Sequence, residues 1–148
     1  MNAYQRAIAI KPEYAEVYSN IASLYFFQNQ FQESLKLYQK ALALDNKIPG
    51  IHWNLGKVYE RLGKVDETIN CWKQALSLDA EFGGGESYRL LANKYYGKGD
   101  KKTAIDLYKK AIDLKSDLSE AYWSLCEIYN VHDQAAAREI SLKYCQNV

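Results

Sequence analysis

Few residues of this chain have the types and spacing that covalent chemistry needs. The thiols are Cys71, Cys126 and Cys145, and the imidazoles are His52 and His132. A structural zinc site uses four such ligands, with cysteines usually paired in a short C-x-x-C-like step. Here the cysteines are far apart and no such step occurs. They read as packing residues, and so does His52. Their small, odd number fits a reducing compartment, so the expected location is cytoplasmic. The Gly-rich stretch is "FGGGE", Phe82 to Glu86. A phosphate-cradling loop would continue into Lys-Ser/Thr, and this one does not. It reads as a flexible joint. No Ser-His-Asp arrangement stands out. No catalytic residue, metal ligand or cofactor is expected, and an enzyme is not the expected class. What remains is the chemistry of recognition. Amides can bond both backbone N–H and C=O, and aromatic rings and arginine anchor interfaces.

The charge balance narrows the partner. Lysine and arginine number 19 against 18 aspartates and glutamates, so no large field favours nucleic acid or an anionic membrane. No long apolar run suits a membrane span, and no basic-then-apolar N-terminus suits a signal peptide. The lysines around Lys98, Lys101, Lys102, Lys109 and Lys110 interleave with Asp100, Asp106 and Asp113. They read as a solvated outer face.

The elements that must position any recognition residues are visible as a repeat. Tyr25, Tyr59, Tyr95 and Tyr129 lie 34, 36 and 34 residues apart. Ala7, Ala41, Ala75 and Ala111 keep step with them, as do Tyr4, Tyr38, Trp72 and Tyr108. A period of this length means short units that stack because none can bury its apolar face alone. Tyr18, Ile21, Ala22 and Tyr25 share one helical stripe. Tyr88, Leu91, Ala92 and Tyr95 share another. A second helix follows in each unit, on stripes such as Ser34, Tyr38, Ala41 and Leu42. The predicted helices span 2–11, 15–28, 31–44, 49–62, 65–78, 85–98, 101–114, 119–131 and 134–146. Asn29, Gly63, Gly99 and Asp133 stand at the turn within each pair and suit left-handed helix ends. Pro49 suits a first helical turn. Ala22, Gly56, Ala92 and Cys126 stand beside large aromatics, where a small side chain lets two helices approach. The repeated tyrosines read as core.

These residues resemble the tetratricopeptide repeat (TPR) family, whose signature runs W-x2-L-G-x2-Y, A-x3-F, A-x4-P. "HWNLGKVYERLGKVDETINCWKQALSLDA" (His52 to Ala80) and "YRLLANKYYGKGDKKTAIDLYKKAIDLKS" (Tyr88 to Ser116) carry the likeness. It implies an all-α, right-handed solenoid of antiparallel helix pairs. One solenoid domain would fill residues 1–148, as a half repeat 1–14 and repeats 15–48, 49–84, 85–118 and 119–148. Because the chain starts in mid-unit, it reads as a piece of a longer array or as a remodelled terminus.

The resemblance also implies that the first helix of each pair lines a concave groove. The stripe beside its packing stripe then supplies the binding residues: Asn20, Trp53, Asn54, Lys57, Arg61, Arg89, Asn93, Tyr96 and Trp123. Phe26 and Phe27 lie on it too, with a weaker case. Trp53 and Trp123 would anchor apolar side chains, and Asn20, Asn54 and Asn93 would hold peptide backbone. Lys57, Arg61 and Arg89 would make the groove centre positive. The family's clamp for chaperone tails would need Lys and Asn at Ser19 and Ser23, Asn at Asn54, and Lys and Arg at Glu86 and Leu90. Only Asn54 fits. In the asparagine ladder of the O-GlcNAc transferase superhelix, Asn20 and Asn54 match, whereas Leu90 and Ser124 do not. The expected function is a protein-interaction module with a protein or peptide partner. The alternatives are a substrate-recruiting segment of a larger enzyme such as a glycosyltransferase, or a module that forms homo-oligomers through its unpartnered N-terminal helix. Neither nucleic acid nor membrane insertion is expected.

Overall fold

A computed structural model describes residues 13–115 and 118–130, together with Ala135, Glu139, Ile140 and Leu142. The helix expected at 2–11, with the self-association reading that rests on it, lies outside the described residues. So does Asp133, and so does most of the helix expected at 134–146. Among the described residues every regular element is a helix: α1 (Ala15–Phe27), α2 (Phe31–Leu44), α3 (Pro49–Arg61), α4 (Val65–Leu78), α5 (Gly84–Gly97), α6 (Lys101–Leu114) and α7 (Ser119–Asn130). The chain divides into two compact units, Met1–Ala80 and Glu81–Val148. In the first, α1 packs on α2, α3 on α4, and α2 on α3. In the second, α6 packs on both α5 and α7.

The pairs close by one device, repeated. Asn29, Gly63 and Gly99 take φ of 60°, 74° and 85°. The amide that follows each one bonds back to the tyrosine five residues before it: Gln30 to Tyr25 O and Lys64 to Tyr59 O at 2.9 Å, Asp100 to Tyr95 O at 3.0 Å. This is the Schellman closure, which satisfies a terminal carbonyl and turns the chain. These tyrosines are only half-buried, so the expectation that they are core needs correcting. They stand at the rim of the pair, while Tyr18, Tyr38, Tyr88, Tyr108 and Tyr122 are buried.

Small residues set the helix spacing. Ala22 and Ala92 have no exposed surface. At Gly56 the indole of Trp72 fills the space that a Cβ would need, so α3 and α4 can close only over glycine. Ser34 binds its pair from within, donating to Ala22 O at 2.8 Å. Gly85 is a contact residue, not part of a joint: a Cβ there would run into Ala111 O of α6 and Leu118. His52 is half-buried with Nε2 2.8 Å from Asn46 O, tying α3 to the loop before it. Lys40 and Lys110, at equivalent places on α2 and α6, lie 4.5 and 4.4 Å from the ring centroids of Tyr18 and Tyr88. These second-helix lysines cover core tyrosines while their charges stay in water.

Candidate functional site

In the first unit α1 and α3 present the expected stripe residues. Asn20 and Arg61 are exposed, and Asn54 and Lys57 are half-buried. Ser23 donates to Ser19 O at 3.1 Å, so the Tyr38 hydroxyl, 2.7 Å from Ser23 Oγ, donates to that oxygen. Tyr38 thus reaches from α2 to the stripe of α1. Burial pushes its pKa up. Arg61 stands over the rings of Phe26 and Phe31, 5.8 and 5.9 Å from their centroids. Phe26 meets Phe31 edge-on at 5.6 Å and Phe27 at 6.0 Å, and Phe27 is 79% exposed. The cluster holds a guanidinium over aromatic carbon, which sequence reading did not foresee. Its members come from two helix pairs, and Phe31, from a second helix, lies off the stripes that hold the others.

Trp53 is not an anchor waiting for a ligand. It is 6% exposed and stacked on Trp72, with centroids 4.7 Å apart and planes 20° apart. Trp72 Nε1 also donates to Trp53 O at 3.1 Å. The cause is the glycine at position 56. Trp72 moves into the vacant Cβ space, and its indole offers a flat face that Trp53 covers. The residue is part of the packing between α3 and α4.

In the second unit the stripes of α5 and α7 meet around a side chain of α6. The Tyr108 hydroxyl donates to Asn93 Oδ1 at 2.5 Å and also lies in hydrogen-bonding reach of Ser124. Burial raises its pKa, a shift that the charge of Arg89 opposes and that of Glu127 adds to. Asn93 is exposed and Tyr96 half-buried. Arg89 Nε and Nη2 donate to Glu86 at 2.7 and 2.5 Å, and Nη1 donates to Glu120 at 2.8 Å. The Glu86 bond raises the Arg89 pKa, and the same bond lowers that of Glu86. Arg89 therefore adds no net positive charge. The expected positive centre reduces to Lys57 and Arg61 of the first unit. Asn93, with Tyr108 on one side of its oxygen, keeps its N–H groups for a ligand. Trp123 is 69% exposed on α7, between Glu120 and Glu127 on one helical stripe.

Tyr38 and Tyr108 are the residues that sequence reading missed here. Both occupy a core slot of the second helix, and nothing in the spacing says where a buried tyrosine sends its hydroxyl. A cleft of about 310 Å³ also opens in the second unit, floored by Ile112, Tyr122 and Leu125. These are packing residues, not members of the α5 and α7 stripes. No group of histidine, cysteine or acidic side chains among the described residues could hold a metal ion. None of the described helices is long and apolar enough to cross a membrane.

Comparison with known proteins yields two family matches, to the TPR repeat over residues 22–63 and to the tetratricopeptide repeat over residues 47–117. No curated protein matches the sequence. Among solved structures the chain is similar to MamA, with 20% identity and a TM-score of 0.85 over 98% of this chain and 84% of that one. It is similar to YrrB, described as a TPR protein with an unusual peptide-binding site, with 23% identity and a TM-score of 0.84 over 99% and 75% of the two chains. The first TPR of Spaghetti (RPAP3), bound to the HSP90 peptide SRMEEVD, matches at 21% identity and a TM-score of 0.70 over 79% and 91%.

Proposed function

The chain belongs to the tetratricopeptide repeat family, and from that premise we propose that it is a protein-interaction module. Its ligand is a segment of a partner protein, held on the face presented by α1 and α3 in the first unit or on that presented by α5 and α7 in the second. The observation that carries the reading is the division of labour within each helix. Tyr18, Ile21 and Ala22 of α1 and Tyr122, Leu125 and Ile128 of α7 are buried, yet Asn20 and Trp123 beside them are exposed. Packing accounts for the first set and leaves the second unused. An exposed indole and exposed amides are suited to anchoring a side chain and holding a backbone. The likeness to YrrB and to the RPAP3 repeat adds a parallel, since both are described with peptides. The RPAP3 ligand does not carry over: Ser19, Ser23, Glu86 and Leu90 lack the cationic and amide groups of the tail clamp.

The test is selection of short random peptides, displayed on phage, against the immobilised chain. Enriched peptides should lose affinity for Asn20→Ala/Asn54→Ala or for Trp123→Ala. They should bind Lys36→Ala and Lys102→Ala, second-helix variants, as tightly as the parent chain. Enrichment that survives the first-helix changes and fails with the second-helix ones would overturn the proposal.

A further inference from the structure

We propose that the α7 face of the second unit takes a cationic side chain, lysine or arginine, of the partner segment, laid on the Trp123 indole between Glu120 and Glu127. This rests on the interaction reading above and specifies the ligand chemistry of one of its faces. The comparison of equivalent slots is the starting point. Ser19, Trp53, Arg89 and Trp123 hold the same place in successive first helices. Trp53 is spent on Trp72, and Arg89 on Glu86 and Glu120. Trp123 is 69% exposed, so most of its ring stands clear of the protein.

The charges on its own helix have one sign. Helix α7, SEAYWSLCEIYN, contains two carboxylates and no basic residue. Glu120 comes one turn before Trp123 and Glu127 one turn after, on the same stripe. The guanidinium that reaches this stripe, Arg89, is already shared between Glu86 and Glu120. Lys115 acts on the Glu86 side of that group. Negative charge is thus left in excess beside an exposed indole, the strongest cation–π acceptor among the side chains. A lysine or arginine gains from the ring and the carboxylates together. An acidic side chain would meet Glu120 and Glu127, and a purely apolar one would leave both without benefit.

The same peptide selection tests this, read by composition. Enriched peptides should carry a lysine or arginine at one shared position, and exchange of that residue for norleucine should weaken binding about tenfold. Trp123→Ala should have a comparable effect. Glu127→Gln should weaken binding less, and the remaining affinity should vary less steeply with salt. Enriched peptides that are acidic or apolar, or that bind Trp123→Ala and Glu127→Gln like the parent chain, would overturn this proposal and leave the interaction module standing. A selection that enriches no peptide would overturn both.

Discussion

Trp72 lies in the space opened by Gly56 and is covered by the stacked ring of Trp53, at a centroid distance of 4.7 Å. Two tryptophans that look alike in the sequence, Trp53 and Trp123, therefore have opposite roles. Trp53→Ala should remove a buried ring and leave a cavity, lowering stability by about 3–5 kcal/mol. Trp123→Ala should stay within about 0.5 kcal/mol of the parent, as exposed substitutions usually do. Urea unfolding of the two variants checks this. Equal midpoints would show that the indole stack contributes nothing to the fold.

Gly56 and Gly97 form a second contrast. At Gly56 even a methyl group must displace Trp72, so Gly56→Ala should destabilise by about 1–3 kcal/mol. At Gly97, the last residue of α5, a Cβ would meet nothing within 4 Å. Gly97→Ala should therefore stabilise by about 0.5–1 kcal/mol through helix propensity. Thermal melts should move in opposite directions.

Cys71 should be a poor nucleophile in the native chain. Burial, helped by the nearby carboxylate of Glu67, pushes its thiol up to about 11. The thiolate is the reacting form, so alkylation of Cys71 at pH 8 should be slow when folded and fast in denaturant. Mass mapping of iodoacetamide adducts provides the measurement. Rapid native labelling of Cys71 would contradict the packing of α4.

Acid should loosen the second unit through Glu86. The bond from Arg89 depresses its pKa below the ordinary 4.5, which makes the folded state bind fewer protons than the unfolded one there. Its contribution is complete above the ordinary carboxyl range and is lost as pH falls through the lower folded value. Stability should decline with pH below about 4.5. Glu86→Gln should be less stable than the parent at pH 7 and should lose less on acidification. Urea midpoints across pH 3 to 7 test the sign, and a steeper acid loss in Glu86→Gln would refute it.

The helices could be read in advance because each rests on local rules. The stripe through Tyr18, Ile21 and Ala22 reports a 3.6-residue period, and Asn29, Gly63 and Gly99 mark helix ends through their own backbone preferences. The candidate faces were legible only as stripes. A stripe tells which side of a helix is unused, not what a long side chain does there. Trp53 folds back because a glycine on its own helix admits an indole from the next. The charge of Arg89 is paired with Glu120, a partner 31 residues away on α7. The Tyr108 hydroxyl reaches Asn93 from a slot that periodicity marks as core. Each outcome depends on contacts between helices, which no single-helix pattern contains.

The most direct test of the interaction module is amide chemical-shift mapping of the intact chain with a selected peptide. The account predicts that the perturbed residues fall on the first helices, at Asn20, Asn54, Lys57 and Arg61 or at Arg89, Asn93, Tyr96 and Trp123. Lys36, Lys40, Lys102 and Lys110 of α2 and α6 should stay unmoved. Shifts concentrated on α2, α4 and α6, with the first-helix stripes silent, would contradict it.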